Sequence, residues 1–193
     1  ADWVRLQEGR KFLENRQYQQ AEKILRPLAE SGYPRGQFAL GQLYAGATGI
    51  NRNEKEAIHW FEAAAERGLP EALHELGTRY YHGMGVGKDI NRAIALHEQA
   101  ALKGSADAAG TLGHIYENGP KLVADREKAV GWYYKAGVAY HKAGRLDDAR
   151  AMLKALKSAT IKYPTVLQLV TELEKLVEIR DGAGRQAGTQ GIS

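Results

Sequence analysis

The chain of 193 residues contains no cysteine. Disulfide bonds and zinc–thiolate sites are therefore excluded, although the lack of thiols does not choose a compartment. Long apolar runs are missing as well: nothing approaches the roughly 18 residues of a membrane span. No signal-peptide pattern is present, and the start at Ala1-Asp2 without methionine fits a processed or trimmed chain. Catalytic constellations are lacking too. Gly83-Met84-Gly85-Val86-Gly87-Lys88 suggests a phosphate loop, but His82 stands where the first glycine should be, Asp89 replaces the Ser/Thr, and no strand precedes it. His74-Glu75 and His97-Glu98 open like a metalloprotease helix, yet neither has the second histidine three residues further on. The carboxylates are spread over capping and surface positions with no pairing. The sequence thus argues against an enzyme, and it calls for no cofactor and no metal.

What is present is a period. Leu76, Gly77, Tyr80, Ala93, Ala100 and Gly104 lie 36 residues after Leu40, Gly41, Tyr44, Ala57, Ala64 and Gly68. Another 36 residues on come Leu112, Gly113, Tyr116, Ala129 and Ala136. A fixed spacing in this range is the mark of a solenoid, whose core is a ribbon in which each repeat touches only its neighbours.

Inside the middle repeat, Leu73, Leu76, Gly77 and Tyr80 recur at i, i+3, i+4 and i+7, the stripe of a first helix, A. Ile90, Ala93, Ile94, His97, Ala100 and Ala101 form the stripe of a second helix, B. Gly77 in mid-helix costs about 1 kcal/mol against alanine. Its return in every repeat points to close packing of helix B against helix A, with Ala93 as the small partner and His97, aligned with Phe61 and Tyr133, as a partly buried spacer. Asp89 suits the N-cap of helix B, as do Asn53 and Asp125 in the neighbouring copies, and Asn53 with Glu56 reads as a loose capping box. Gly32, Gly68 and Gly104 suit left-handed helix ends, and Pro34 and Pro70 suit the starts that follow.

The spacing divides the chain into a single repeat domain over residues 1–180. A short hairpin spans 3–35, with Gly9, Phe12, Ala21, Leu25 and Leu28 in its stripes and Asn15-Arg16-Gln17 as its turn. Three long repeats follow, at 36–71, 72–107 and 108–137, the third with a departing loop at Asn118-Gly119-Pro120-Lys121-Leu122-Val123. A second short hairpin spans 131–164, so that helix B of the third long repeat doubles as its helix A, with Gly137 in its stripe and a turn at Gly144-Arg145. Residues 165–180 form a final helix with Leu169, Val170, Leu173, Leu176 and Val177 on its apolar face. It reads as a cap over the open end of the core, with a dimer seam as the alternative. Residues 181–193 read as a flexible tail.

The pattern A-x-x-x-L-G-x-x-Y-x-x-G-x-G-V, an acidic cap, then A-x-x-x-x-x-x-A-A-x-x-G resembles the Sel-one-like repeat (SLR), a branch of the tetratricopeptide repeat (TPR) superfamily. The two short hairpins resemble plain tetratricopeptide repeats. The absence of cysteine sets the chain apart from the cysteine-bridged members. The resemblance implies an all-α fold, a right-handed αα superhelix of about five helical hairpins plus a C-terminal capping helix. It implies a non-enzymatic adaptor or scaffold with a protein or peptide partner. Bacterial members often serve periplasmic or secreted assemblies, including exopolysaccharide export, so the resemblance leans toward a periplasmic or secreted setting over a cytoplasmic one.

In tetratricopeptide repeats helix A lines the concave face. Carried over repeat by repeat, this implies a partner-binding surface of Arg10, Leu13 and Glu14; Gln42; His74, Thr78, Tyr81 and His82; His114, Glu117 and Asn118; and Tyr134, Val138, His141 and Lys142. Aromatic and hydrogen-bonding groups of this kind suit an extended peptide held at many weak points, and histidines at ordinary pKa would make binding pH-sensitive. A solvated polar surface is the alternative. No pair of these histidines has ligand spacing within one helix. A nucleic-acid-binding repeat is the second functional class, since helical hairpins of this length can read single-stranded RNA one base per repeat. The net charge of +4 bears on it: Lys142, Arg145, Arg150, Lys154, Lys157 and Lys162 stand against Asp147 and Asp148 in one segment. The basic charge does not recur per repeat, which disfavours nucleic acid and favours a solvated helix face.

Overall fold

The computed structural model describes residues 2–46, 52–120, 125–160 and 166–189. Among these residues there are ten helices and no strand, which places the chain in the all-α class of helical-hairpin repeats. The helices group into two compact units, residues 1–103 and 104–193, with the division near the end of the second long repeat.

The first unit holds α1 (Asp2–Glu14), α2 (Tyr18–Glu30), α3 (Pro34–Gly46), α4 (Glu54–Glu66), α5 (Pro70–His82) and α6 (Ile90–Leu102). They pair as α1/α2, α3/α4 and α5/α6, and each pair packs on the next through α2/α3 and α4/α5. Leu25, Leu40, Leu43, Ala57, Phe61 and Ala64 are fully buried along this ribbon. Arg79 is buried with them. Its guanidinium lies 5.1 Å over the Phe61 ring and reaches Glu54 Oε2 at 2.6 Å and Glu75 Oε1 at 3.0 Å. It thereby ties the first turn of α4 to α5.

The second unit holds α7 (Ala106–Asn118), α8 (Arg126–Lys142), α9 (Leu146–Thr160) and α10 (Leu167–Thr189). Helix α8 packs on both α7 and α9, and α10 packs on α8 and α9, burying Val170, Leu173 and Val177. The expected tail is helical as far as Thr189, while 190–193 lie outside the described residues. An existing helix gains one hydrogen bond for each residue it fixes, so α10 continues past Arg180 although Gly182, Gly184 and Gly188 each disfavour it.

The glycine of helix A does not face alanine. A Cβ on Gly77 would lie 2.8 Å from the His97 ring, one on Gly41 2.7 Å from the Phe61 ring, and one on Gly113 2.5 Å from the Tyr133 ring. The missing side chain makes a notch, and a large ring from helix B fills it. His97 is accordingly fully buried, where the spacing alone suggested partial burial. Gly9 receives Leu25 in the same way. Gly137 receives Leu173 of α10, so its partner is the final helix and not α9.

The N-caps follow the sequence reading. Asn53, Asp89 and Asp125 accept hydrogen bonds from the backbone N–H of Glu56, Arg92 and Lys128, at 3.2, 2.9 and 3.1 Å. Their own N–H groups donate to the carbonyls of Tyr44, Tyr80 and Tyr116, at 3.0, 2.9 and 2.8 Å. That second bond closes the long loop, and it takes the N–H that the Glu56 side chain would need for a full capping box. Replacing Asp89 by alanine should therefore lower stability by about 1 kcal/mol, with Asp89→Asn nearly neutral, as read by urea unfolding. Gly32, Gly68 and Gly104 hold φ of 82°, 81° and 94° at the helix ends, where side chains are strained.

Candidate functional site

In the first unit the expected surface is spread over three helices. Arg10 is half-buried, Glu14 and Gln42 are exposed, and His74, Thr78 and Tyr81 are half-buried beside exposed His82. His74 Nδ1 meets Nδ1 of His97 at 3.1 Å, and the Thr78 hydroxyl donates to the His74 carbonyl at 3.1 Å. The rings of Tyr81 and His82 pack edge to face with centroids 5.0 Å apart, and Lys88 Nζ stands 5.8 Å from the Tyr81 centroid. His74 and Thr78 are thus engaged within the fold, whereas Tyr81 and His82 form a small aromatic surface. Burial holds His97 neutral, with its pKa pushed down to about 3, and the nearby His74 adds to the effect.

In the second unit three expected residues converge. Tyr133 OH donates to Glu117 Oε2 at 2.5 Å and lies 2.9 Å from His114 Nδ1, while Asn118 Nδ2 donates to the same Glu117 oxygen at 3.3 Å. Burial pushes the Tyr133 phenol well above its usual pKa, and the bond to Glu117 adds to it. Beside this cluster lies a cavity of about 340 Å³ lined by Glu117 and Asn118 of α7, Arg126, Ala129, Val130 and Tyr133 of α8, and Ser158 and Ala159 of α9. Tyr134 is drawn elsewhere, its hydroxyl donating to Glu172 Oε2 of α10 at 2.9 Å. Val138 and His141 are half-buried and Lys142 exposed near the end of α8.

Sequence reasoning missed the α8 and α9 side of this cavity. One signal was available: the ring position that is Phe61 in the first long repeat is His97 and Tyr133 in the next two. A polar ring in a notch that phenylalanine can fill calls for a hydrogen-bond partner on helix A. His74 and the His114–Glu117 pair supply it.

The basic segment is partly neutralised, with three of its six cations in ion pairs between described residues. Arg145 Nη1 bonds Asp107 at 2.9 Å and its Nε bonds Asp148 at 2.7 Å; Arg150 pairs with Asp147 at 2.7 Å and Lys157 with Glu174 at 2.5 Å. Lys162 lies outside the described residues. Among the described residues no group of three or more ligating side chains could hold a metal ion, and no helix is long and apolar enough to cross a membrane.

A fold built of stacked antiparallel hairpins, with notch-and-ring packing at a 36-residue period, defines a helical-repeat protein. Three consecutive matches to the Sel1 repeat, at residues 34–69, 70–105 and 106–137, cover more than half of the chain, which therefore belongs to the Sel1 repeat family. Among solved structures it is similar to a Sel1 repeat protein from Oxalobacter formigenes, at 30% identity and a TM-score of 0.57, covering 60% of this chain and 88% of that one. It is also similar to a protective antigen present in uropathogenic Escherichia coli strains that displays an SLR fold, at 26% identity and a TM-score of 0.63. That match covers 76% of this chain and 33% of the antigen, so the chain spans about a third of its length. No curated protein matches the chain. Sel1 repeat proteins generally mediate protein–protein interactions and are typically non-catalytic scaffolds.

Proposed function

We propose that the chain is a non-enzymatic adaptor that binds a protein or peptide segment along the helix-A faces of its repeats. The observation that carries this reading is the convergence of His114, Glu117 and Asn118 beside a cavity of about 340 Å³. None of these three side chains is buried in the core, yet His114 and Glu117 are held by hydrogen bonds to Tyr133 and Asn118 by one to Glu117, as a recognition surface requires. Tyr81 and His82 add an aromatic contact of the kind that anchors interfaces. A bacterial cell-envelope or secreted assembly is the setting we favour, because both similar structures are bacterial and one is a protective antigen. Nucleic-acid binding ranks second: the basic charge sits in one segment instead of recurring per repeat, and carboxylates pair with its Arg145, Arg150 and Lys157.

The test is the double variant Tyr81→Ala with His114→Ala. A partner captured from the source organism by the wild-type chain and purified should bind the variant at least tenfold more weakly by calorimetry, about 1.4 kcal/mol, while the circular dichroism spectrum stays helical. Unchanged affinity in the folded variant would move the site to the other face or the loops.

A further inference from the structure

We infer that the cavity of the second unit receives one lysine or arginine side chain of the partner. The inference rests on the adaptor reading and adds the chemistry of one contact. It begins with Tyr133, which has a single hydroxyl hydrogen and two polar neighbours. An ionised carboxylate can only accept, so that hydrogen goes to Glu117 Oε2 at 2.5 Å. The bond of 2.9 Å to His114 must then run the other way, from the imidazole Nδ1–H to the phenol oxygen. Asn118 spends one amide hydrogen on the same carboxylate oxygen, at 3.3 Å, and keeps its carbonyl and a second N–H. The chain of donors is directed toward Glu117 and fixes it from within the protein. Tyr133 is 1% exposed, so this support is anchored in the core.

The cluster leaves open two acceptors, Glu117 Oε1 and the Asn118 carbonyl, beside the second Asn118 N–H, with the Ser158 hydroxyl also in the lining. Ala129, Val130 and Ala159 supply the apolar part of the wall, next to Arg126 and Tyr133. An oriented carboxylate beside a partly apolar wall matches an aliphatic stem with a cationic head, the shape of lysine and arginine. Arg126 is the one cation among the described lining residues. It is exposed and forms no ion pair with a described residue, and it disfavours a second basic residue beside the first.

The probes are N-acetyl-lysine methylamide and N-acetyl-arginine methylamide, with the norleucine and glutamate analogues as controls, titrated into the full chain labelled with nitrogen-15. The basic probes should shift the amides of Glu117, Asn118, Ala129 and Ser158 saturably, at least tenfold more tightly than norleucine. Glu117→Gln should remove that preference, while Arg126→Gln should keep it or strengthen it. Equal binding of norleucine would show an apolar hole only. Binding of the glutamate probe that Arg126→Gln abolishes would show an anion site. Either result, or no saturable shift with the basic probes, overturns the inference. The probes report on the cavity alone. A partner lost in the Tyr81/His114 variant but indifferent to Glu117→Gln would sink the cavity inference and spare the adaptor reading. Saturable probe binding with no surface-dependent partner would do the reverse.

Discussion

Leucine at Gly77 should be among the most damaging single substitutions in the chain, costing about 3 kcal/mol or more in urea or thermal unfolding. The first added carbon would already sit 2.8 Å from the His97 ring, whose three nearest atoms lie within 2.9 Å. That ring is fully buried and has no room to retreat, so the two helices must separate. Overpacking of this kind ordinarily costs about 1–3 kcal/mol, and leucine adds three further carbons behind the first. Alanine separates this effect from helix propensity. In an open helical position Gly→Ala gains about 1 kcal/mol. Gly131 is such a position, with nothing within 4 Å of its would-be Cβ, whereas Gly113 faces Tyr133 at 2.5 Å. Gly131→Ala should therefore stabilise and Gly113→Ala destabilise, although both replace a mid-helix glycine. If the two behave alike, the notch-and-ring account is wrong.

Acid should weaken the first unit through His97, and His97→Phe should remove that sensitivity. The imidazole is fully buried and held neutral, its pKa lowered from 6.5 to about 3 by burial first and by His74 second. In the unfolded chain it titrates at its ordinary value. A group whose pKa is depressed by folding contributes stability that is present above the unfolded pKa. That stability is lost progressively as pH falls from about 6.5 toward 3, at a limiting slope of about 1.4 kcal/mol per pH unit. Phenylalanine fills the same notch at position 61, so His97→Phe should fold, be at least as stable at pH 7, and show a flatter loss between pH 6.5 and 4.5. Parallel pH profiles for the two proteins would show that His97 is not the group responsible.

The hairpins were legible because every level of the sequence agreed on them. Period, caps, helix-ending glycines and turn lengths at Asn15–Gln17 and Gly144–Arg145 all point to the same helices, and the structure has those helices. Two kinds of feature were not legible. The partner of a glycine depends on side-chain direction across a helix pair, so Ala93 looked like the match for Gly77 when His97 is, and Leu173 took Gly137. The cavity is assembled from α7, α8 and α9, and Ser158 and Ala159 come into it from about 40 residues beyond Glu117 and Asn118, so no spacing rule connects them. The α7 residues that border it, Glu117 and Asn118, could be listed from the sequence because they lie on one helix. Their neighbours across the fold could not.

Helix α8 has 17 residues where α1 to α7 have 13 each, and it packs on α7 before it and α9 after it. In the first unit every helix has its own hairpin partner, and the seams fall at single glycine turns such as Gly32 and Gly68. A gene segment encoding one of those hairpins is a self-contained block that can be copied or excised with both of its helices. The two hairpins that share α8 have no such seam: any cut between them leaves one without a partner helix. Lengthening or shortening this protein by whole blocks is open to the first unit, while the second must be inherited or transplanted as one piece.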